Sequence, residues 1–252
     1  MDDRQLLRYS RHILLDELGM DAQVRFAAAH ALVVGAGGLG NPAAQFLASA
    51  GIGTVTLVDA DVVDLTNLQR QILFAMDDVG TPKVAAAARR LAAINPEVRV
   101  VQAAQRVGAT ELAALVAAAD VVLDCTDNFA TRHAINRACV SARRPLVSGA
   151  AIRFDGQISV FDVRDPAAPC YHCLFGEGED LEETRCATMG VFAPLVGIVG
   201  ATQAAEALKL VAGVGRPLAG RLLLIDALAM EWREVRVPRD PACPVCSSRG
   251  GA

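Results

Sequence analysis

The chain has 252 residues, 53% of them hydrophobic, and 24 Lys and Arg stand against 28 Asp and Glu for a net charge of −4. That length and apolar content support a sizeable core, as one large α/β domain or as a domain with an embedded sub-module. With no long basic stripe, nucleic acid is excluded as the expected partner. Met1-Asp2-Asp3-Arg4-Gln5 holds no apolar signal core. The longest apolar stretch, Met189 to Ala201, contains Pro194 and runs into Thr202 and Gln203, which reads as too short and too broken to span a bilayer. A cytoplasmic chain with no membrane association is expected. Its seven cysteines, an odd number without an export signal, argue against a disulfide framework.

In chain order, Ala31 to Gly35 reads as a buried strand and Leu39 to Ala50 as a helix. Thr54 to Val58 is a second strand. Thr81-Pro82 has the form of a cap followed by a first-turn proline, opening a helix that stops before Asn95-Pro96. Val98 to Val101 and Val121 to Asp124 are further strands. A helix from about Ala130 to Ser141 follows, and Pro145 to Gly149 begins a fifth strand. Strands alternating with helices predict a parallel, doubly wound, Rossmann-like sheet. After Ala151 the pattern changes. Gln157 to Val163, Arg221 to Ile225 and Glu231 to Val237 alternate apolar and polar residues, as antiparallel strands do. A long helix, Pro194 to Ala212, lies among them, and Gly176 to Thr184 reads as an exposed acidic loop.

Gly35-Ala36-Gly37-Gly38-Leu39-Gly40 follows a strand and opens a helix, the setting in which backbone N–H groups receive a nucleotide phosphate. Asp59 ends the second strand about twenty residues later, where a carboxylate accepts ribose hydroxyls. A glycine turn without a ligand is the plain alternative. The fingerprint by itself suits NAD. Asn67-Leu68-Gln69-Arg70-Gln71 and Lys83 then add cations and amides that suit a triphosphate. Asp124-Cys125-Thr126-Asp127-Asn128 closes the fourth strand at the carboxyl edge of the sheet, where a carboxylate can hold Mg²⁺ between phosphates. Each charged residue alone reads equally as a solvated surface group.

Cys170-x-x-Cys173 and Cys243-x-x-Cys246 each offer two thiolates to one tetrahedral Zn²⁺. Four sulfurs leave no open position, so the expected role is structural; a redox dithiol pair or buried cysteines are the other readings. Cys186 stands alone after the acidic loop, as an acyl-accepting nucleophile or as a dispensable thiol. Cys125 and Cys139 sit in apolar segments and are expected in the core.

Together these residues resemble the MoeB/ThiF (HesA/MoeB/ThiF) family of ubiquitin-activating-type adenylyltransferases. The resemblance runs through Arg8-Tyr9-Ser10-Arg11, the glycine loop, Asn67 to Gln71, Asp124 to Asn128 and both cysteine pairs, and covers nearly the whole chain. It implies a single adenylating domain over 1–252, with a helical arm (1–30), a nucleotide-binding part (31–150) and a carrier-binding and zinc part (151–252). It implies a homodimer that binds ATP and Mg²⁺ and adenylates the C-terminal carboxylate of a small ubiquitin-like sulfur carrier, MoaD-like or ThiS-like. A separate sulfur donor acts later. In that reading Gly35, Gly37, Gly38, Gly40, Asp59, Asp61, Asn67, Gln69, Arg70, Lys83, Asp127 and Asn128 bind the cofactor. Arg11 crosses to the partner's ATP, Arg70 and Lys83 hold phosphates, and Cys186 matches a cysteine that some members bond to their carrier. Arg8 to Asp16 look like the thiamine branch, whereas Val147 to Arg153 and Ala193-Pro194-Leu195 look like the molybdopterin branch. His12 stands where a glutamine is usual, and no rhodanese domain follows Cys246. An NAD-dependent oxidoreductase and a catalytically silent scaffold remain the rival classes.

Overall fold

The computed structural model describes residues 1–177 and 189–250. Eight strands form one sheet in the order β3-β2-β1-β4-β5-β6-β7-β8. Strands β1 (His30–Val34), β2 (Thr54–Val58), β3 (Arg99–Ala103), β4 (Val121–Asp124) and β5 (Leu146–Ile152) run parallel. Strands β6 (Asp155–Phe161), β7 (Arg221–Asp226) and β8 (Glu231–Arg236) extend the sheet antiparallel. The expected switch from parallel to antiparallel pairing therefore occurs at the β5–β6 hairpin, whose two-residue turn holds Arg153 at φ 51°.

β1 and β4 are apolar between His30 at the start of one and Asp124 at the end of the other, because helices cover both faces of the sheet. On one face lie α3 (Gly19–Ala28), α4 (Gly40–Ala50), α5 (Lys83–Ile94) and α9 (Ala193–Ala212), which bury Phe26, Leu47, Leu91 and Val199 in the larger core. On the other, α6 (Ala109–Ala118), α7 (Phe129–Ala142) and the short α8 (Tyr171–Leu174) bury Val116, Ile135, Cys139 and Tyr171. Cys125 is buried as well, so both apolar-segment cysteines are core residues.

Helix α9 corrects the reading of the apolar stretch around Pro194. That proline sits in the first turn, where its missing N–H costs nothing, and the helix continues for 20 residues. By length and composition α9 is apolar enough to cross a bilayer. Here it packs on the sheet and on α4, with Leu195, Val199, Ala204 and Ala207 fully buried. The approach is so close that a Cβ at Gly200 would lie 2.3 Å from the Leu39 carbonyl oxygen.

Register sets the site. Val34 pairs with Val58 on one side and Asp124 on the other. Gly35, Asp59 and Cys125 therefore leave the sheet at one level, at the carboxyl ends of three neighbouring parallel strands. Ahead of α3 and β1 lies an N-terminal segment of two short helices, α1 (Asp3–Arg8) and α2 (Ser10–Ile13). Tyr9 anchors it: its ring covers Gly51, and its hydroxyl accepts from Asn95 Nδ2 at 2.8 Å.

Candidate active site

The six-residue glycine loop joins β1 to α4, and its glycines divide into two kinds. Gly35 has φ 94°, and a Cβ there would lie 2.6 Å from the Cys125 carbonyl oxygen. At Gly40 a Cβ would meet the Gly35 carbonyl oxygen at 1.9 Å. These two are demanded by the turn itself. Gly37, by contrast, faces open space, with only Gln71 Nε2 near, at 3.7 Å, and Gly38 looks toward Val196. The backbone there is bare on the side a ligand would approach, at the start of an 11-residue helix.

Asp59 binds this loop to its neighbour. One carboxylate oxygen accepts from Ala36 N at 2.7 Å and the other from Asp61 N at 2.8 Å. Asp61 in turn accepts from Lys83 Nζ at 2.7 Å, and Lys83, the first residue of α5, is itself buried. The structure thus brings together the glycine loop, Asp59, Asp61 and Lys83 through direct bonds.

Asn67 and Arg70 are placed by a short 3₁₀ turn, Leu65–Asn67, capped by Asp64. The Asp64 carboxylate accepts from the Thr66 hydroxyl and N–H, which hold it below the usual carboxylate range. Asn67 Oδ1 accepts from Asp64 N at 3.1 Å, and Arg70 donates to the Thr66 carbonyl at 3.1 Å. Gln69 is exposed. Gln71, two residues on, was read from sequence only as one of the amides of the Asn67 to Gln71 run. Gln71 is 3% exposed beside Gly37, and its Oε1 has no hydrogen-bond partner among the described residues. An orphaned amide beside a bare glycine backbone suits a polar ligand such as a nucleotide. The signal in the sequence was a polar residue heading the apolar run Ile72-Leu73-Phe74.

On the far side of the glycine loop, Asp124 is fully buried and accepts from Thr126 N, Thr126 Oγ1 and Ser148 Oγ. Asn128 caps α7 by accepting from Thr131 N at 2.9 Å, which leaves its amide N–H groups to donate to a ligand. Asp127, between them, is exposed, and no hydrogen bond occupies its carboxylate among the described residues. Free carboxylate oxygens at this edge fit a hard cation such as Mg²⁺. Burial pushes the thiols of Cys125 and Cys139 far above their usual value, which removes both as nucleophiles at neutral pH. Arg11 is exposed on α2 and reaches none of these groups within one chain. Cys186 and most of the acidic loop lie outside the described residues.

The two cysteine pairs meet as the spacing predicted. Cys170 lies 3.7 Å from Cys243, Cys173 lies 3.5 Å from Cys246, and Cys170 and Cys173 are 3.9 Å apart. All four sulfurs fall within 4.8 Å of one another. Sulfurs about 2.3 Å from a tetrahedral zinc stand about 3.8 Å apart, so the donor set matches that ion in kind and spacing. Asn136 Nδ2 donates to Cys170 Sγ at 3.6 Å, and Arg239 ties the second pair by donating to the Cys246 carbonyl at 2.8 Å.

This sheet, with its loops meeting at the parallel strand ends, belongs to a known class of protein: the ThiF family model matches residues 9–245, and the chain is a member of that family. Among its relatives, the molybdopterin-synthase adenylyltransferase of Escherichia coli K12 is 46% identical over 249 residues, covering 98% of each chain. The sulfur carrier protein ThiS adenylyltransferase of the same organism is 45% identical over 246 residues, covering 98% of this chain and 97% of its own. Among solved structures, E. coli MccB with ATP superposes with a TM-score of 0.83 at 27% identity, covering 95% of this chain and 74% of that one.

Proposed function

We propose that this chain is an adenylyltransferase that uses ATP to activate the C-terminal carboxylate of a small ubiquitin-like sulfur-carrier protein. The observation that carries this reading is end-to-end similarity to two carrier adenylyltransferases. The Gly37–Gln71 cradle, Asp59 and the buried Lys83 gathered at one sheet edge support it. The carrier carboxylate, already ionised at neutral pH, attacks the α-phosphorus of ATP. A bond forms between a carboxylate oxygen and the α-phosphorus, the bond from that phosphorus to the oxygen bridging to the β-phosphate breaks, and pyrophosphate leaves with the bridging oxygen. Catalysis here is positioning and charge neutralisation. Backbone N–H groups of Gly35 to Gly40 receive phosphate oxygens, Asp59 takes the ribose, and Asn67, Gln69, Arg70, Lys83 and Asn128 surround the phosphates. Asp127 would hold Mg²⁺, whose charge offsets that of the phosphates.

A homodimer, with Arg11 of one subunit reaching the partner's nucleotide, is supported by apolar side chains left in solvent on two segments. Leu7 and Leu14 are 78% and 71% exposed on the arm, and Ile72 and Met76 are 64% and 65% exposed beyond Arg70. We assign residues 1–30 to the arm, 31–150 to the nucleotide and 151–252 to the carrier and to a structural Zn²⁺ on Cys170, Cys173, Cys243 and Cys246. A cytoplasmic reaction, with a separate protein donating sulfur to the acyl adenylate, is part of this reading, and the use of ATP supports it. Identities of 46% and 45% weigh the molybdopterin and thiamine carriers equally. The test is exchange of labelled pyrophosphate into ATP in the presence of each carrier. Arg70→Ala is expected to lower it about a hundredfold, and exchange absent with every carrier sinks the reading. Cys186→Ala leaves exchange intact on this mechanism, because the carboxylate attacks phosphorus without a thiol; an exchange-dead but folded Cys186→Ala refutes that division of labour.

A further inference from the structure

Arg132 takes no part in the scheme above, yet its guanidinium is among the most deeply buried charges in the molecule, 6% exposed. Burying a guanidinium is costly unless partners are arranged for it. Here they are: it donates to the Thr126 carbonyl, and Asp124, Tyr171 and Asp127 surround it electrostatically. Burial opposes the charge, and Asp124 leads the groups that outweigh that penalty and hold Arg132 above its usual range.

These partners lie on both sides of one short loop. Asp124 fixes the start of the loop by accepting from Thr126 N at 3.0 Å and Thr126 Oγ1 at 2.7 Å. Asn128 fixes its end as the α7 cap. Arg132, one turn into α7, grips the middle through the Thr126 carbonyl. Asp127 is the one exposed residue between these fixed points. Four residues further along the same helix face, Asn136 accepts from Tyr171 N at 2.9 Å and donates to Cys170 Sγ, so the helix that carries Arg132 is anchored from behind.

We infer that Arg132 is a positioning residue: by holding the Thr126 carbonyl while Asp124 holds the Thr126 N–H and hydroxyl, it fixes the Asp127 carboxylate where a Mg²⁺–nucleotide complex needs it. This rests on the adenylation reading. A purely structural arginine would affect nucleotide binding equally with and without Mg²⁺. A residue that aims Asp127 affects the Mg²⁺-dependent part alone.

The experiment compares wild type, Arg132→Lys and Arg132→Gln, with Arg137→Gln as a control on the exposed face of the same helix. Binding of a non-hydrolysable ATP analogue is measured by calorimetry with and without Mg²⁺, and pyrophosphate exchange is titrated with Mg²⁺. Arg132→Lys, which keeps a buried cation, is expected to change Mg²⁺-free binding by less than about twofold. It should raise the Mg²⁺ concentration for half-maximal binding and exchange by about tenfold or more, as expected for a misplaced ligand group. Arg132→Gln should do the same more strongly, and Arg137→Gln should match wild type. An unchanged Mg²⁺ midpoint in folded Arg132→Lys overturns the inference. So do equal losses with and without Mg²⁺, or failure of Arg132→Lys to fold, each of which marks a structural role. Failure of the adenylation reading itself is distinguishable, because wild type would then show no Mg²⁺-dependent analogue binding at all.

Discussion

Lys83 Nζ lies 2.7 Å from Asp61 Oδ2, joining a buried ammonium to a carboxylate that is 67% exposed. The pair spans 22 residues of sequence and crosses from the end of β2 to the start of α5. The ammonium is therefore held in place before any phosphate arrives. Lys83→Ala should lower pyrophosphate exchange about a hundredfold, whereas Asp61→Asn, which removes the carboxylate charge and leaves the Lys83 ammonium in place but less firmly held, should cost about tenfold. Wild-type exchange in Lys83→Ala would remove this residue from the site.

The sulfur cluster predicts one Zn²⁺ per chain. Cys243→Ser should abolish stoichiometric metal and lower the melting temperature by about 10 °C or more. Chelator should act on stability first and on exchange only as the protein unfolds. Elemental analysis of protein purified without chelator settles the matter, and metal-free protein with unaltered melting would exclude a metal role.

A site completed in trans makes a complementation test available. Arg11→Ala and Lys83→Ala should each be inactive alone. After verified subunit exchange, mixed dimers hold one site with both residues intact, and activity should return to as much as about a quarter of wild type for random pairing. No recovery would show that Arg11 serves its own subunit or none.

Asp78 offers a pH test independent of catalysis. Its side chain is 6% exposed and accepts from Ala75 N, Arg89 and Arg90. The Ala75 N–H chiefly, and then the two arginines, hold its carboxyl below the usual range against the opposing effect of burial. Because the folded value is the lower one, the stabilisation is complete above the unfolded value of about 3.9 and is lost as pH falls through the folded value. Asp78→Asn should cost about 1–3 kcal/mol near neutrality, read from urea unfolding. The gap between wild type and variant should close below about pH 4. A gap that persists unchanged into acid would show that the Asp78 charge contributes nothing.

Much of this architecture was legible because the parallel strands are short apolar runs ended by Gly35, Asp59 and Asp124, residues that stop a strand and begin chemistry. The sulfur cluster was legible because Cys-x-x-Cys constrains itself locally. Helix α6 was missed. Ala109 to Ala118 is apolar around much of its circumference, and only Leu112 and Val116 are deeply buried, so no helical stripe stands out. Arg132 was missed, and the burial of Gln71 beside Gly37 was not foreseen, for a different reason. Local sequence does not tell whether a polar side chain points to water or is enclosed by elements arriving from elsewhere, such as β4, α7 and the glycine loop. The placement of β1 between β2 and β4 likewise depends on pairing over long separations.

The same long separation has a consequence for how the chain is made. Cys170 and Cys243 are 73 residues apart, and the segment between them includes α9 and the last two strands. Closing a loop of that length adds little entropic cost over a shorter one, since each doubling costs only about 0.6 kcal/mol. Its demand is on timing. During synthesis the first thiol pair emerges and waits for α9, β7 and β8 before its counterpart exists. Through that interval Cys170 and Cys173 are an unmatched dithiol, open to oxidation to a local disulfide or beyond. Once joined, Cys170 is fully buried with the second pair and Cys173 partly so, packed against it. The vulnerable period of this cluster is the birth of the polypeptide, and an oxidising stress should deplete newly made protein while leaving older molecules intact.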